Sequence, residues 1–501
     1  MYIAYDIKNG TEYAKLCQSH WINGKDVKTY INLGRVIDKE KHIYKNRKRG
    51  LFSFDPETEE YAPLDENTFL LPASETIHPS RILNFGDVFF IDSLIRQEGL
   101  DRAIKAVHVS DPDTLYALIG FYILSDLGLP HAEDWYRNSY ASLLYPDAEM
   151  GSQRLSEQLV QISSEDSWRA FFKEYFAYLE RVPGNYKDIL IDSTGLPNSA
   201  HMPLTAISTH NGKISNEIRL IFVTEQETGL PVYMRYVSGA IRDVSTISAT
   251  IKELKAQGIE PETVLMDAGY YSDPNIRLLH KARIHFICRL KENLKLFKEL
   301  VSAHKNDLES KENLVKFGRR LVFIQREKVP LVSGVSGYAY VCMDVDRRAD
   351  EIRRMLDHLD PKAELEEDTY EALESGGVFI LISTEKIERE RILPMYYTRQ
   401  AIEQTFDISS LLPLRIQSEE NLRGHLLITF IAIVIVKRIQ YRLIHEQGRR
   451  DKNLNPISLL QNLGYQHCSV YENKIIVQKA NAKANQGYRV FGMESPESIS
   501  V

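Results

Sequence analysis

The chain has 501 residues, of which 43% are hydrophobic and 26% are charged. This length predicts roughly two to four domains, and the composition is typical of globular proteins rather than of disordered or fibrous ones. The net charge of −7 argues against binding to nucleic acid, because contacts with phosphate need Lys and Arg, although acidity elsewhere in the chain can mask a local basic surface.

The spacing of the cysteines and the lengths of the apolar runs indicate the cellular compartment of the protein. The cysteines are Cys17, Cys288, Cys342 and Cys468. They stand far apart without a Cys-x-x-Cys pair, which excludes a disulfide framework or a cysteine zinc site and favours a reducing cytoplasm. The first residues lack the pattern of a signal peptide. The longest apolar run, 426–436, is too short to span a bilayer and predicts a buried helix, so we expect no membrane association.

Residues 1–80 alternate short β-forming runs, at 28–33, 34–37 and 50–54, with turn signals. This pattern predicts a β-rich N-terminal domain. A basic cluster, Lys45-Asn-Arg47-Lys48-Arg49, lies between two of these runs. It would suit contact with DNA phosphate, but we favour a solvated turn between two strands.

Residues 81–180 have helical periodicity, which predicts a helical domain. The apolar stripes are Val88, Ile91, Leu94 and Ile95, followed by Leu115, Leu118, Ile119, Tyr122 and Ile123. Ser152 is a candidate N-cap of a further helix. Such helices can form a DNA-binding domain of the helix-turn-helix kind or a plain helical bundle, and for each helix alone we favour the bundle.

Residues 181–446 predict an α/β domain. Strands are expected at 188–192, 217–224, 231–237, 263–267, 285–290 and 378–382, with helices at 245–257 and 273–283. A mixed segment at about 292–376, with strands at 321–325 and 338–344 and a helix near 349–359, is predicted to be an insertion. Residues 447–501 are predicted to form a polar C-terminal tail.

Two aspartates stand at the ends of apolar runs in this domain. Asp192 ends the run 188–192 and Asp267 ends the run 263–267, and a glycine follows each within three residues. Each is predicted to be the last residue of a buried strand, at the rim of the sheet where ligand crevices form. The alternative is that each aspartate merely opens a turn.

A third carboxylate lies in the stretch 396–406. Tyr396, Arg399, Glu403 and Phe406 are spaced by three, four and three residues, which places them on one face of a helix. The alternative is an ordinary Arg–Glu pair on an amphipathic helix.

Together these residues resemble the DDE transposases of bacterial insertion sequences. Asp192, Asp267 and Glu403 match the DDE triad, and Tyr396, Arg399 and Glu403 match the signature Tyr-x2-Arg-x3-Glu-x6-Lys. Ser410 replaces the signature lysine, which puts full transposition activity in doubt. Further similar segments are 229–232, 239–243, 286–291, 377–384 and 423–426. The resemblance implies a ribonuclease H-like mixed sheet flanked by helices, with the insertion before the helix of the catalytic glutamate.

The resemblance also implies the chemistry and the partners. Two Mg²⁺ ions, for which Mn²⁺ can substitute, would lie about 3.5–4 Å apart, bridged by Asp192 and completed by Asp267 and Glu403. Tyr396 and Arg399 would hold the DNA end. The expected partners are the terminal inverted repeats and target DNA, both double-stranded, and a second copy of the chain on DNA. His201, His210 and His425 form no metal-ligand pair, and we interpret them as structural.

Two other interpretations remain. A catalytically impaired or domesticated relative that binds DNA without cutting it would fit Ser410 and the acidic balance. An actin-like ATPase or kinase would use the loops at Asp192 and Asp267 for phosphate and Gly376-Gly377 for adenosine, but its loops usually carry more glycines and threonines.

Overall fold

The computed structural model describes residues 1–8, 11–22, 25–64, 79–198, 202–208, 214–357, 376–398, 418–446 and 454–500. The chain divides into two compact units, Met1–His78 and Pro79–Val501. The second unit therefore joins the segments that the sequence assigns to the helical region, the α/β domain and the C-terminal tail.

The N-terminal unit is an antiparallel sheet in which each described strand pairs with the next along the chain. Its strands are β1 (Tyr2–Lys8), β2 (Thr11–Ile22), β3 (Lys25–Asp38), β4 (Ile43–Asn46), β5 (Gly50–Phe54) and β6 (Tyr61–Pro63). Apolar side chains that include Leu16, Leu33 and Phe52 form its small core. The runs predicted at 28–33 and 34–37 are one strand, which passes through a bulge where Gly34 has a φ of 102°.

The basic cluster at 45–49 covers the end of β4 and the turn that leads into β5, and its cationic side chains are exposed. Asn46 fixes this turn, because its Oδ1 accepts hydrogen bonds from the backbone N–H groups of Lys48 (3.0 Å) and Arg49 (2.8 Å). The guanidinium of Arg49 lies 3.7 Å from the ring centroid of Tyr61. The cluster is thus a solvated turn between two strands.

The second unit begins with β7 (Arg81–Asn84) and continues with helices. They are α1 (Gly86–Glu98), α2 (Asp101–Lys105), α3 (Pro112–Leu124), α4 (Ala132–Arg137), α5 (Ala141–Leu144), α6 (Ser152–Ile162) and α7 (Glu165–Leu179). The apolar stripe predicted on α1 is buried at each of its positions, and that on α3 is buried over its first two turns. Ser152 is the first residue of α6, and Gly151 rather than Ser152 occupies the N-cap position.

A mixed sheet forms the centre of the unit. Its strands are β8 (Asp188–Pro197), β9 (Ala206–Ser208), β10 (Ser215–Glu225), β11 (Pro231–Ser238), β12 (Thr263–Met266), β13 (His285–Arg289), β14 (Leu314–Phe317), β15 (Arg320–Val332), β16 (Val335–Asp344) and β17 (Val378–Ser383). Their order is β11-β10-β8-β12-β13-β17-β16-β15-β14, with β9 on β10. Strands β8, β12 and β13 are parallel, and their outer neighbours are antiparallel. The predicted α/β class with a mixed sheet is confirmed.

Helices connect and cover these strands. They are α8 (Ile247–Ala256), α9 (Asp273–Lys281), α10 (Lys295–His304), α11 (Val345–Asp357) and α12 (Arg389–Tyr397). The predicted insertion is part of the same sheet, because β16 pairs with β17 on one side and with β15 on the other.

Helix α13 (Glu419–Glu446) crosses the interior of the unit, and its residues 426–436 are buried, as the apolar run predicts. Gly424 lies inside this helix. A Cβ at Gly424 would overlap the carbonyl oxygen of Leu159 in α6, so glycine is required where the two helices meet. In the part of the chain that is described, no single helix is long and apolar enough to cross a membrane; one sharply bent pair, Pro112–Leu124 with Leu129–Arg137, meets the criteria only when taken together.

The C-terminal segment has regular structure of its own. It contains α14 (Pro456–Gly464), β18 (His467–Val470), β19 (Lys474–Val477), α15 (Ala482–Val490) and β20 (Ser498–Ser500). These strands form a second sheet with β7, in the order β20-β19-β18-β7. The segment therefore closes onto the beginning of its own unit, which a polar tail would not do.

We expect His425 to make stability fall as the pH drops below about 6.5. The Tyr122 hydroxyl hydrogen-bonds to its Nδ1, and burial lowers the pKa of His425 to about 4. Because the unfolded chain binds the proton with a pKa of about 6.5, it takes up more protons than the folded state between these values. Wild type should lose about 1–2 kcal/mol more unfolding free energy between pH 7.5 and 5.0 than His425→Asn, measured by urea denaturation.

The exposed His445, on the same helix, supplies the control His445→Asn, which should keep the wild-type pH dependence. Equal pH dependence in wild type and His425→Asn would contradict this prediction.

Candidate active site

Asp192 and Asp267 lie next to each other on two parallel strands. In the register of β8 and β12, Ile191 is the partner of Met266, and each aspartate is the next residue. The backbone of Asp267 is still extended, with φ −76° and ψ 164°. Since neighbouring strands lie about 4.8 Å apart and in-register residues face the same side, both carboxylates project from one face of the sheet.

The structure corrects the predicted end of the first strand. Asp192 is not its last residue, because β8 continues to Pro197 along its antiparallel neighbour β10. Asp267, predicted to be the last residue of its strand, lies one position beyond the end of β12 at Met266. Asp192 is 9% exposed, and its Oδ1 accepts a hydrogen bond of 2.9 Å from the Ser193 N–H. The two aspartates thus mark the level at which the parallel pairing stops.

Helix α12 packs on the same face as the two carboxylates. Tyr396 belongs to the apolar cluster that contains Leu190 and Leu265, each two residues before one of the aspartates. Because residues two apart in a strand share a face, the cluster and the carboxylates are on the same side of the sheet. Tyr396 is 7% exposed, and its ring packs edge-on against Tyr397 with the centroids 5.7 Å apart. Contact of Tyr396 with DNA stays a prediction.

The remaining predicted site residues, Arg399 and Glu403, lie outside the described residues, as does Ser410. So do His201 and His210. Within the described ranges, no three His, Cys, Asp or Glu side chains are grouped as metal ligands. The carboxylates of Asp192 and Asp267 are suitable ligands for Mg²⁺, because Mg²⁺ prefers oxygen ligands. Its other ligands would have to come from other residues, from water or from substrate.

A buried polar network lies behind the aspartates. The Asp243 Oδ1 accepts hydrogen bonds from the Ser193 hydroxyl (2.6 Å) and from Arg219 Nη1 (2.9 Å). Arg219 Nη2 donates to the Ser208 hydroxyl (3.2 Å) and lies 3.7 Å from Glu217 Oε1. The side chains of Arg219 and Glu217 are 6% and 2% exposed. The guanidinium is therefore held between two carboxylates in the interior.

The network also reaches the turn that follows Asp267. Asn275 Nδ2 donates to the carbonyl oxygens of Val244 (2.7 Å) and Tyr270 (2.8 Å), which joins the turn at 243–245 to the turn at 268–270. Burial raises the pKa of the Tyr270 hydroxyl, and the charges of Asp243 and Asp192 raise it further. The charges that act on the Tyr270 hydroxyl are thus those of Asp243, in the network, and of Asp192, in the candidate site.

Sequence reasoning missed this network. It noted the segment 239–243 only as part of the resemblance, and it did not single out Glu217 or Arg219. A signal was present, because these two charges occupy alternate positions at the start of a strand that is otherwise apolar through Val223. Charges on the inward face of a buried strand need partners, and Asp243 is one of them.

A comparison with curated protein sequences finds no match. Among solved structures, the chain is similar to the piggyBac transposase of a cryo-EM synaptic complex with hairpin DNA, at 13% identity and a TM-score of 0.40, over 76% of this chain and 80% of that chain. Residues 183–435, just over half of the chain, match the family described as the transposase DDE domain. On the strength of that match, the chain is a member of the transposase DDE domain family.

Proposed function

We propose that the chain is a DNA transposase that cleaves and joins strands at insertion-sequence ends with the help of divalent metal ions. The observation that carries this proposal is the position of Asp192 and Asp267, side by side on the sheet face that α12 covers. Helix α12 leads directly into the segment that contains Arg399 and Glu403. Family membership supports the reaction class.

The strand order supports a ribonuclease H-like interpretation of the core. The first three strands of the domain, apart from the short β9, form the antiparallel series β11-β10-β8, and β12 and β13 then extend it in parallel from β8. This is the βββαβαβ sequence expected for such a sheet, and it leaves the strand of Asp192 in the middle.

Asp192, Asp267 and Glu403 would hold the Mg²⁺ ions, for which Mn²⁺ can substitute. Bound there, the ions would neutralise charge on the scissile phosphate and lower the pKa of a coordinated water. The chain fixes the two aspartates on neighbouring strands, where two like charges repel each other and favour a cation between them. An attacking water oxygen would bond to phosphorus as the bond to the 3′-oxygen breaks and that oxygen takes a proton. In strand transfer, the oxygen of the DNA 3′-hydroxyl would bond to a phosphorus of the target strand as the bond from that phosphorus to its own 3′-oxygen breaks, and the departing oxygen would take the proton.

Arg399 would pair with a DNA phosphate through its guanidinium fork, and Tyr396 would support the distorted DNA end beside it. Tyr396 is 7% exposed, which favours a role in which only a small part of its surface faces DNA. The proposed partners are double-stranded inverted repeats, target DNA and a second copy of the chain, in the cytoplasm.

A DNA-binding relative without cleavage activity is the second candidate. Ser410 in place of the signature lysine and the net charge of −7 favour it, because both weaken contact with phosphate. Family membership argues against the ATPase or kinase interpretation.

The first test is cleavage of DNA that carries the sequences flanking the gene, with Mg²⁺ or Mn²⁺. Wild type should nick this DNA, and Asp192→Asn or Asp267→Asn should lower the rate on the order of a thousandfold, since each loses a ligand charge that stabilises the transition state by several kcal/mol. Asp188→Asn is the matched control, because Asp188 begins the same strand and its Oδ2 accepts a hydrogen bond from Asn185 (2.8 Å). Wild type that binds this DNA but leaves it intact would establish the non-catalytic candidate instead.

The second test concerns the third carboxylate. Glu403→Gln should abolish cleavage while leaving the affinity for DNA, measured by mobility shift, within about twofold, since removing a metal-binding charge does not remove a phosphate contact. Glu390, exposed in the first turn of α12, provides the control Glu390→Gln. Cleavage by Glu403→Gln at the wild-type rate would remove Glu403 from the site.

A further inference from the structure

We propose that Asp243 and Asn275 are positioning residues: from the opposite face of the sheet, they hold the two aspartate-bearing chain segments at a fixed separation. This inference rests on the proposed function, since it assigns these residues a part in building the same metal site. Neither residue needs to touch metal or DNA. Their effect passes through the backbone next to Asp192 and Asp267.

Asp243 contacts both of the aspartate-bearing segments. Its Oδ1 accepts a hydrogen bond of 2.6 Å from the hydroxyl of Ser193, which directly follows Asp192. Its Oδ2 lies 3.0 Å from the place where a Cβ on Gly269 would be, and Gly269 follows Asp267 by two residues. One carboxylate therefore packs against the turn after Asp267 and hydrogen-bonds to the strand of Asp192.

Asp243 is itself held in place by a buried arginine. Arg219 Nη1 donates to Oδ1 at 2.9 Å, and Arg219 is set by the Ser208 hydroxyl and by Glu217. Arg219 lies on β10, opposite Gly195 of β8. The carboxylate that touches both segments is thus anchored to a third strand of the same sheet.

Asn275 makes a second connection, between the turn that carries Asp243 and the turn that follows Asp267. Asn275 uses both hydrogens of its amide nitrogen, one to the carbonyl of Val244 and one to that of Tyr270. Asn275 is 6% exposed and lies in the first turn of α9. The turn that carries Asp243 and the turn that follows Asp267 are therefore linked by backbone contacts that do not depend on the ion pair.

The physical need for this arrangement comes from the two like charges. Asp192 and Asp267 project from the other face of the sheet and repel each other, and a metal site tolerates a misplacement of only about 0.5 Å in its ligands. Connections behind the strands resist that repulsion without adding a group to the site. Loss of such an outer connection typically weakens metal binding or activity about 10–100-fold.

The experiment measures Mn²⁺ affinity by calorimetry on the full chain without DNA, and the Mg²⁺ dependence of DNA cleavage separately. Asp243→Asn and Asn275→Ala should each weaken Mn²⁺ binding about tenfold and raise the half-maximal Mg²⁺ concentration to the same extent. Excess Mn²⁺ should restore cleavage in both, whereas Asp192→Asn stays inactive. Ser193→Ala, which removes one hydroxyl and is the mildest change, should shift both values in the same direction by a smaller factor.

Glu98→Gln is the matched control for a buried ion pair. Glu98 pairs with Arg438 at 2.6 Å, the two side chains being 8% and 9% exposed, and this pair joins α1 to α13. Glu98→Gln should lower the melting temperature yet keep the wild-type Mn²⁺ affinity and Mg²⁺ dependence.

The outcomes separate this inference from the proposed function. Wild type that neither binds Mn²⁺ nor cleaves DNA would overturn the proposed function and the positioning role together. Wild type that does both, with Asp243→Asn, Asn275→Ala and Ser193→Ala matching Glu98→Gln in metal affinity and Mg²⁺ dependence, would overturn the positioning role alone. A folded Asp243→Asn that excess Mn²⁺ fails to restore would also overturn it, because a positioning residue does not supply a ligand.

Discussion

The in-register parallel pairing of β8 with β12 is the constraint on which the candidate site depends. A slip of one residue would turn one aspartate to the opposite face of the sheet and separate the two carboxylates. The apolar residues before each aspartate prevent such a slip. Residues 189–191 and 264–266 are almost completely buried, on both faces of the sheet, so another register would expose part of one run or bury a polar group. Packing of aliphatic side chains thus determines where the charges meet.

The two faces of the sheet carry different parts of the site. One face carries the two carboxylates and α12, and the other carries the network of Ser193, Arg219 and Asp243. A buried ion pair contributes little net stability, because desolvation offsets most of the attraction between the charges. The network is therefore better explained by what it positions than by stability. Its hydrogen bonds end on chain segments that flank the aspartates, which is where control of position has an effect.

The sequence predicted those features that depend on local pattern. The apolar runs before Asp192 and Asp267 were sufficient to place both strands, and the aspartates at their ends mark the candidate site. The extension of β8 beyond Asp192 was missed because it depends on pairing with β10, whose residues come later in the chain. The pairing of β18 with β7 was missed for the same reason, since strands of four residues show little periodicity and their partners lie at opposite ends of the unit. Arg219 was missed because its partner Asp243 lies on another element.

The same network explains why glycines follow the aspartates. Short Asp-and-Gly segments also occur in phosphate-binding loops, where glycine lets the backbone approach a ligand. Here the space is already taken by protein carboxylates. A Cβ on Gly195 would overlap the carboxylate of Glu217, and one on Gly269 would lie 3.0 Å from Asp243 Oδ2. Because protein carboxylates lie where these Cβ atoms would be or directly beside them, these glycines serve the internal packing of the candidate site.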